Sequence, residues 1–124
     1  MTSATVEYIA PVGMQSEWLR MDVLARCLLL SRSGKSPAPE MINQLQHLQH
    51  QIEQLRLADT SPWRRLPMAD LPPLAMDIVA AVFACEAQPR IGWLYQELQP
   101  GTLQPFITPA LLQMLLALEE LISY

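Results

Sequence analysis

The chain has 124 residues, of which 51% are hydrophobic and 16% charged, with a net charge of −4. This length fits one domain with its own core, and so apolar a composition excludes an intrinsically disordered chain. The negative charge disfavours nucleic-acid binding because it repels a phosphate backbone. No apolar run has the length of a membrane-spanning helix, and the N-terminus lacks the pattern of a signal peptide, so we expect a cytoplasmic protein without a membrane segment.

The first thirteen residues, ending in Pro11-Val12-Gly13, suit an extended arm. The remainder predicts a single helical domain over 14–124, made of a helical hairpin over 14–58 and a helical half over 62–124. In the first helix, from about Gln15 to Ser31, apolar residues spread beyond one face. We therefore expect this helix to be buried on more than one side.

The second predicted helix, Glu40 to Ala58, carries an apolar seam between glutamines, formed by Met41, Leu45, Leu48, Ile52 and Leu55. The seam is about two heptads long, which is short for a free-standing coiled coil. We expect it to pack against the first helix of the same chain. Pairing of the seam between two copies, as a homodimer, is the alternative.

The third predicted helix runs from about Pro72 to Ala87, with prolines in its first turn. Asp77 is the single charged residue between Leu74 and Cys85. So apolar a helix is typical of the centre of a bundle, where neighbours cover most of its sides. The sequence therefore places the core around this helix.

A fourth helix is expected from about Pro89 to Gln99, and a fifth begins with Thr108 as its cap and Pro109 in its first turn. The predicted fold is all-α, a compact bundle of about five helices. Strand pairing is suggested only in the arm and over 66–69. A winged-helix-like fold with a small β-hairpin is the alternative.

Two residue groups could suggest reactive thiols or a nucleotide site, and neither pattern is complete. Cys27 and Cys85 lie far apart in apolar runs, which predicts buried free thiols. The segment Ser33-Gly34-Lys35-Ser36 matches only the end of a Walker A loop, because Leu29 stands where the first glycine belongs and Pro37 follows. It predicts an exposed loop between two helices, and we expect no cofactor.

His47, His50 and Glu53 follow one another at steps of three, a spacing that places them on one helical face. Two imidazoles and a carboxylate are ligand types that bind zinc. They lie on the glutamine-rich side, away from the seam, where no apolar neighbour would hold them in place. We expect a solvated face and no metal site.

Aromatic residues mark two candidate contact sites for a protein partner. Trp93 and Tyr95 are two apart in the fourth helix, so they point to different sides, one into the core and one outward. An exposed aromatic residue often anchors an interface, although both rings could instead pack around the last helix. The second site is Trp63 with the basic pair Arg64 and Arg65, for which ion pairing within the chain is the alternative.

The segments Ala84-Cys85-Glu86-Ala87-Gln88-Pro89-Arg90, Leu94-Tyr95-Gln96-Glu97-Leu98-Gln99 and Thr108-Pro109 occur in this order. This half of the chain resembles the N-terminal accessory domain of bacterial AAA+ ATPases, including those encoded with contractile injection systems. In that family a helix ending in Ala-x-Glu-x-x-Pro-Arg is followed by a Leu-Tyr-x-x-Leu-Gln helix and by a Thr-Pro or Pro-Thr helix start.

The resemblance implies a non-catalytic interaction or regulatory domain that recruits a partner or substrate to an attached ATPase motor. It implies no enzyme activity of this chain, which lacks the Walker A loop that a motor needs. A stand-alone dimeric helical adaptor or chaperone is one alternative. A small DNA-binding regulator that uses Trp63, Arg64 and Arg65 is another.

Overall fold

The computed structural model describes residues 14–58, 61, 63, 71–101 and 105–122. These residues contain no strand and form five helices: α1 (Met14–Arg32), α2 (Pro39–Leu57), α3 (Pro73–Ala87), α4 (Pro89–Leu98) and α5 (Pro109–Ile122). The predicted all-α bundle is confirmed. The arm over 1–13 and the suggested strand over 66–69 lie outside the described residues. In the part that is described, no helix has the length and apolarity needed to cross a bilayer.

Helix α1 is the centre of the bundle, because each of the other four helices packs against it. Its fully buried side chains point in several directions around the helix axis and include Met21, Val23, Leu24, Ala25 and Cys27. The prediction that this helix is buried on more than one side is confirmed. Cys27 and Cys85 are both free thiols, but Cys85 is only half-buried.

Helix α2 packs against α1 through the predicted seam. Leu45, Leu48 and Ile52 are at most 4% exposed and belong to the same core as α1. Three of the five seam residues are thus buried against the core within the same chain, and Met41 and Leu55 are partly buried. Between the two helices, Gly34 adopts a φ of +76°, and the amide of Lys35 donates to the carbonyl oxygen of Leu30 at 2.9 Å. The segment 33–36 is thus an exposed turn that closes α1.

The prediction that the third helix is central and covered on most sides is wrong. Helix α3 buries only the small residues Ala80, Ala81 and Ala84. Its large apolar side chains are 59% exposed at Leu74, 42% at Ile78, 46% at Val82 and 54% at Phe83. Alanines let the α3 backbone approach its neighbours closely, so the contact needs only one narrow side of the helix. Composition alone does not distinguish this arrangement from full burial.

Helix α4 separates its two aromatic residues as predicted. Tyr95 is fully buried and its hydroxyl donates to the carbonyl oxygen of Ala81 at 2.9 Å, which ties α4 to α3. Trp93 is 66% exposed on the opposite side. At Gly92 an added Cβ would lie 2.8 Å from Cβ of Pro105, so only glycine permits this close approach.

The start of α5 is capped as the sequence predicts. The amide of Leu111 donates to the hydroxyl of Thr108 at 3.2 Å, and the amide of Thr108 donates to the side-chain oxygen of Gln99 at 2.8 Å. The side-chain nitrogen of Gln99 donates in turn to the carbonyl oxygen of Tyr95 at 3.1 Å. This buried glutamine therefore joins the end of α4 to the start of α5.

We expect Tyr95→Phe to lower the free energy of unfolding by about 1 kcal/mol near neutral pH, because the hydrogen bond to Ala81 is lost. Burial raises the pKa of Tyr95 above its ordinary value of 10.0. The phenol of Tyr95 therefore stays protonated to a higher pH in the folded state than in the unfolded state. The contribution of Tyr95 to stability is lost as the pH rises above 10.0.

Urea unfolding followed by circular dichroism, near pH 7 and above pH 10, measures both effects. The wild type should lose more stability than Tyr95→Phe over this interval. Trp93→Phe, at an exposed position, is the control and should follow the wild type. Equal pH dependence in the wild type and Tyr95→Phe would contradict the prediction.

Candidate functional site

Charged side chains from four helices meet beside Trp63 at one end of the bundle. We call this group the charge cluster; it consists of Glu17 and Arg20 from α1, Arg56 from α2, Asp77 from α3 and Glu119 from α5. The sequence prediction missed all of these residues.

Arg20 binds two carboxylates. Its Nε donates to Oε2 of Glu119 at 2.7 Å and its Nη2 pairs with the other oxygen of the same carboxylate. Its Nη1 donates to Oδ1 of Asp77 at 2.7 Å. Such a two-pronged contact between a guanidinium and a carboxylate is among the strongest hydrogen-bonded pairs in proteins.

Arg56 has a matching arrangement on the other side of Asp77. Its Nε donates to Oε2 of Glu17 at 2.6 Å, and its Nη2 donates to Oε1 of Glu17 at 2.7 Å and to Oδ1 of Asp77 at 2.9 Å. The indole nitrogen of Trp63 also donates to Glu17, at 3.1 Å. The guanidinium of Arg56 lies 5.6 Å from the centre of the Trp63 ring, within the range of a cation–π contact.

The charge cluster is largely removed from water, since the exposed fraction of its side chains runs from 2% at Glu17 to 15% at Asp77. Burial on its own lowers the pKa of Arg20 and Arg56. The hydrogen bonds and negative charges of the neighbouring carboxylates outweigh this effect and raise the pKa of both groups above its ordinary value. Both guanidinium groups therefore stay charged in the folded protein.

Helical periodicity in the sequence already indicates several residues of the charge cluster. Arg56 follows Ile52 by four residues, and Glu119 follows Leu115 by four, so each charge continues the apolar face of its helix. Asp77 is the single charge between Leu74 and Cys85 in the most apolar helix. A charged residue at a core position needs a partner, and here the partners are the two arginines.

A groove of about 530 Å³ lies beside the charge cluster. Its lining includes both arginines of the cluster, Asp77 and Glu119, together with the apolar residues Ile52, Leu57, Leu71, Pro73 and Met76. The arginines that face it are already paired with carboxylates, so they offer an anionic ligand little free charge. The arrangement therefore joins helices, and the described residues that line the groove include no nucleophile–base pair.

A second ion-paired group joins α1 to α4. The carboxylate of Asp22, only 2% exposed, lies 2.9 Å from Nε of Arg26 and 2.6 Å from Nη2 of Arg90. A cleft of about 210 Å³ opens beside it, next to the indole nitrogen of Trp18. That nitrogen is buried and has no hydrogen-bond partner within the described residues.

The predicted contact residues fall in different places. Trp93 is at the surface, whereas Tyr95 and Trp63 are buried and offer a partner little surface. Arg64 and Arg65 lie outside the described residues. His47 and His50 are exposed on α2 with Glu53, and no three potential metal ligands come together in the described ranges.

The exposed apolar side of α3 is the feature that sequence reasoning did not anticipate. We call it the outer face; it consists of Leu74, Ile78, Val82 and Phe83. Spacings of four residues align the first three along one side of the helix. Trp93 on α4 adds a separate exposed apolar side chain. Large apolar surface that stays in water is characteristic of interaction sites.

Comparisons with protein-family models, with curated proteins and with solved structures gave no significant match.

We expect Arg20→Ala to lower the free energy of unfolding by about 3–5 kcal/mol, because it leaves the buried carboxylate of Glu119 without its guanidinium partner. Replacing both partners, as Arg20→Met with Glu119→Leu, should recover most of this loss, since no unpaired charge then remains at that position. Urea unfolding followed by circular dichroism measures both variants.

Arg26→Ala is the matched control. Arg26 is about half exposed, and Asp22 keeps its contact with Arg90 when Arg26 is removed. We expect a loss below about 1 kcal/mol. A similar loss in Arg20→Ala and Arg26→Ala would show that the charge cluster does not depend on pairing.

Proposed function

We propose that this chain is a non-catalytic helical domain that binds a protein partner through exposed apolar side chains. The observation that carries the proposal is the exposure of the outer face and of Trp93. Each of these five side chains is between 42% and 66% exposed. Removing such surface from water favours association, and tryptophan is enriched among the residues that dominate binding energy.

The way in which α3 and α4 are held supports this function. Asp77 binds Arg20 and Arg56 on the inner side of α3, and the Ala81 carbonyl accepts the Tyr95 hydroxyl. These polar contacts orient both helices from within the bundle. The exposed side chains are thus presented on a fixed backbone, and binding to such a surface costs less ordering entropy than binding to a mobile one.

For the partner we propose an attached AAA+ motor and the proteins that it acts on, in the cytoplasm. The resemblance of the segments around Glu86 and Tyr95 supports this narrower proposal. Several resembling positions have structural roles here: Tyr95 bonds to α3, Arg90 pairs with Asp22, and Thr108 caps α5. Positions that determine helix packing are those that a shared accessory fold would retain.

A photo-crosslinking amino acid at position 93, in the natural protein within its own cells, tests the interaction function. We expect one discrete crosslinked protein, identified by mass spectrometry, which also binds the purified domain and loses that binding with Trp93→Ala. The same crosslinker at Leu57, which is 67% exposed on α2, is the matched control and should give no such product. Identical products at both positions would overturn the proposal.

The motor proposal has its own test. We expect the natural reading frame to continue beyond Tyr124 into a segment with the Gly-x-x-x-x-Gly-Lys-[Ser/Thr] loop, while purified residues 1–124 neither bind nor hydrolyse ATP. A stop codon directly after Tyr124 would contradict an attached motor. ATP hydrolysis by residues 1–124 would contradict a non-catalytic domain.

A further inference from the structure

We propose that a second copy of this chain covers the outer face, with the two α3 helices packed antiparallel about a two-fold axis between Ile78 and Val79. The inference rests on the proposed function, because it assigns an occupant to the outer face. It leaves Trp93 on α4 for a different partner.

The outer face has the self-complementary shape that a two-fold interface needs. An axis between Ile78 and Val79 places Ala75 opposite Val82 of the second copy. Leu74 and Phe83 are nine residues and therefore half a turn apart around the helix, so they lie at the two edges of the contact. The small side chain of Ala75 thus meets the branched side chain of Val82. The larger side chains of Leu74 and Phe83 lie farther from the axis. The exposed fractions of 59% at Leu74 and 54% at Phe83 show that both ends of the face project into solvent.

Pairing through this face requires no charge to lose its water. Asp77 is the only charged residue between Leu74 and Cys85, and it points inward to Arg20 and Arg56. The outer side of α3 is therefore uncharged over about three helical turns. Removal of a charge from water is the largest cost in burying a surface, and this surface avoids it.

The charges at the two ends of α3 favour a second copy in the antiparallel orientation. At its N-terminus the cap residue Pro72 makes no side-chain hydrogen bond and the first turn has no acidic residue, so this turn itself supplies no counter-charge to the positive end of the helix dipole. Glu86 is exposed in the last turn, where no basic residue offsets it.

Antiparallel pairing places Glu86 of each copy beside Leu71 and Pro72 of the other, where a carboxylate complements the positive helix end. By symmetry this contact forms twice. Parallel pairing would instead bring the two Glu86 side chains together and align the helix dipoles unfavourably. The charges therefore select one of the two orientations that the apolar side chains permit.

An interface of one helix face per copy is small, at or below the lower limit for specific interfaces of about 1,200 Å² in total. We therefore expect a reversible dimer with a dissociation constant of about 1–100 μM rather than an obligate one. Sedimentation equilibrium from about 1 to 500 μM covers this range.

The wild type should pass from monomer to dimer across these concentrations. Ile78→Asp should remain monomeric with an unchanged circular dichroism spectrum, because position 78 is exposed in the monomer. The control Leu57→Asp, at an exposed position on α2, should dimerise like the wild type. Glu86→Gln should weaken dimerisation about five-fold, through loss of both helix-end contacts.

Cysteine crosslinking tests the orientation in a Cys85→Ser background. With oxidised glutathione as oxidant, an equimolar mixture of Ala75→Cys and Val82→Cys chains should form a disulfide-linked heterodimer, whereas neither variant alone should crosslink. Crosslinking of Ala75→Cys with itself would indicate parallel pairing and overturn the antiparallel geometry.

If the wild type is monomeric at all concentrations, a second copy does not cover the outer face, and the face is then assigned to a different protein. The crosslink from position 93 decides the proposed function independently, because Trp93 is outside the dimer contact. A wild-type dimer that Ile78→Asp leaves intact would also contradict the proposal, since its interface would then lie elsewhere.

Discussion

One oxygen of Asp77 accepts hydrogen bonds from both Arg20 and Arg56, and through it the positions of three helices depend on one another. Glu119 extends the same network to α5, and Glu17 extends it to Trp63. Buried ion pairs of this kind add little net stability relative to apolar side chains, but any arrangement that separates the partners is strongly penalised. We interpret the charge cluster as the feature that sets which side of α3 faces the bundle.

That choice of side reverses the usual distribution of residues on a helix. An amphipathic helix normally buries its large apolar residues and exposes its charges. Helix α3 instead buries alanines and pairs Asp77 inside the bundle, and it leaves Leu74, Ile78, Val82 and Phe83 exposed to water. Helix α4 packs against α3 and is joined to it by the Tyr95 hydrogen bond, without covering this surface. The exposed surface is thus a consequence of how the interior is held together.

The interior and the surface therefore have separate tasks. Within the described residues, the charges of the charge cluster pair with one another, and Asp22 pairs with Arg26 and Arg90. The arginines that line the groove are therefore already paired. Our proposals assign association to apolar side chains instead: the outer face on α3 and Trp93 on α4.

Much of the fold followed from local patterns. Pro39, Pro73, Pro89 and Pro109 each stand in the first turn of a helix, and the α2 seam and the Thr108 cap predicted their contacts correctly. These features depend on neighbours a few residues apart, which a sequence shows directly. Only the tertiary structure decided that α1 rather than α3 is central, and that Arg20 meets Glu119 across 99 residues of chain. Such pairings depend on how helices pack, and helical periodicity records which residues share a face but not what that face meets.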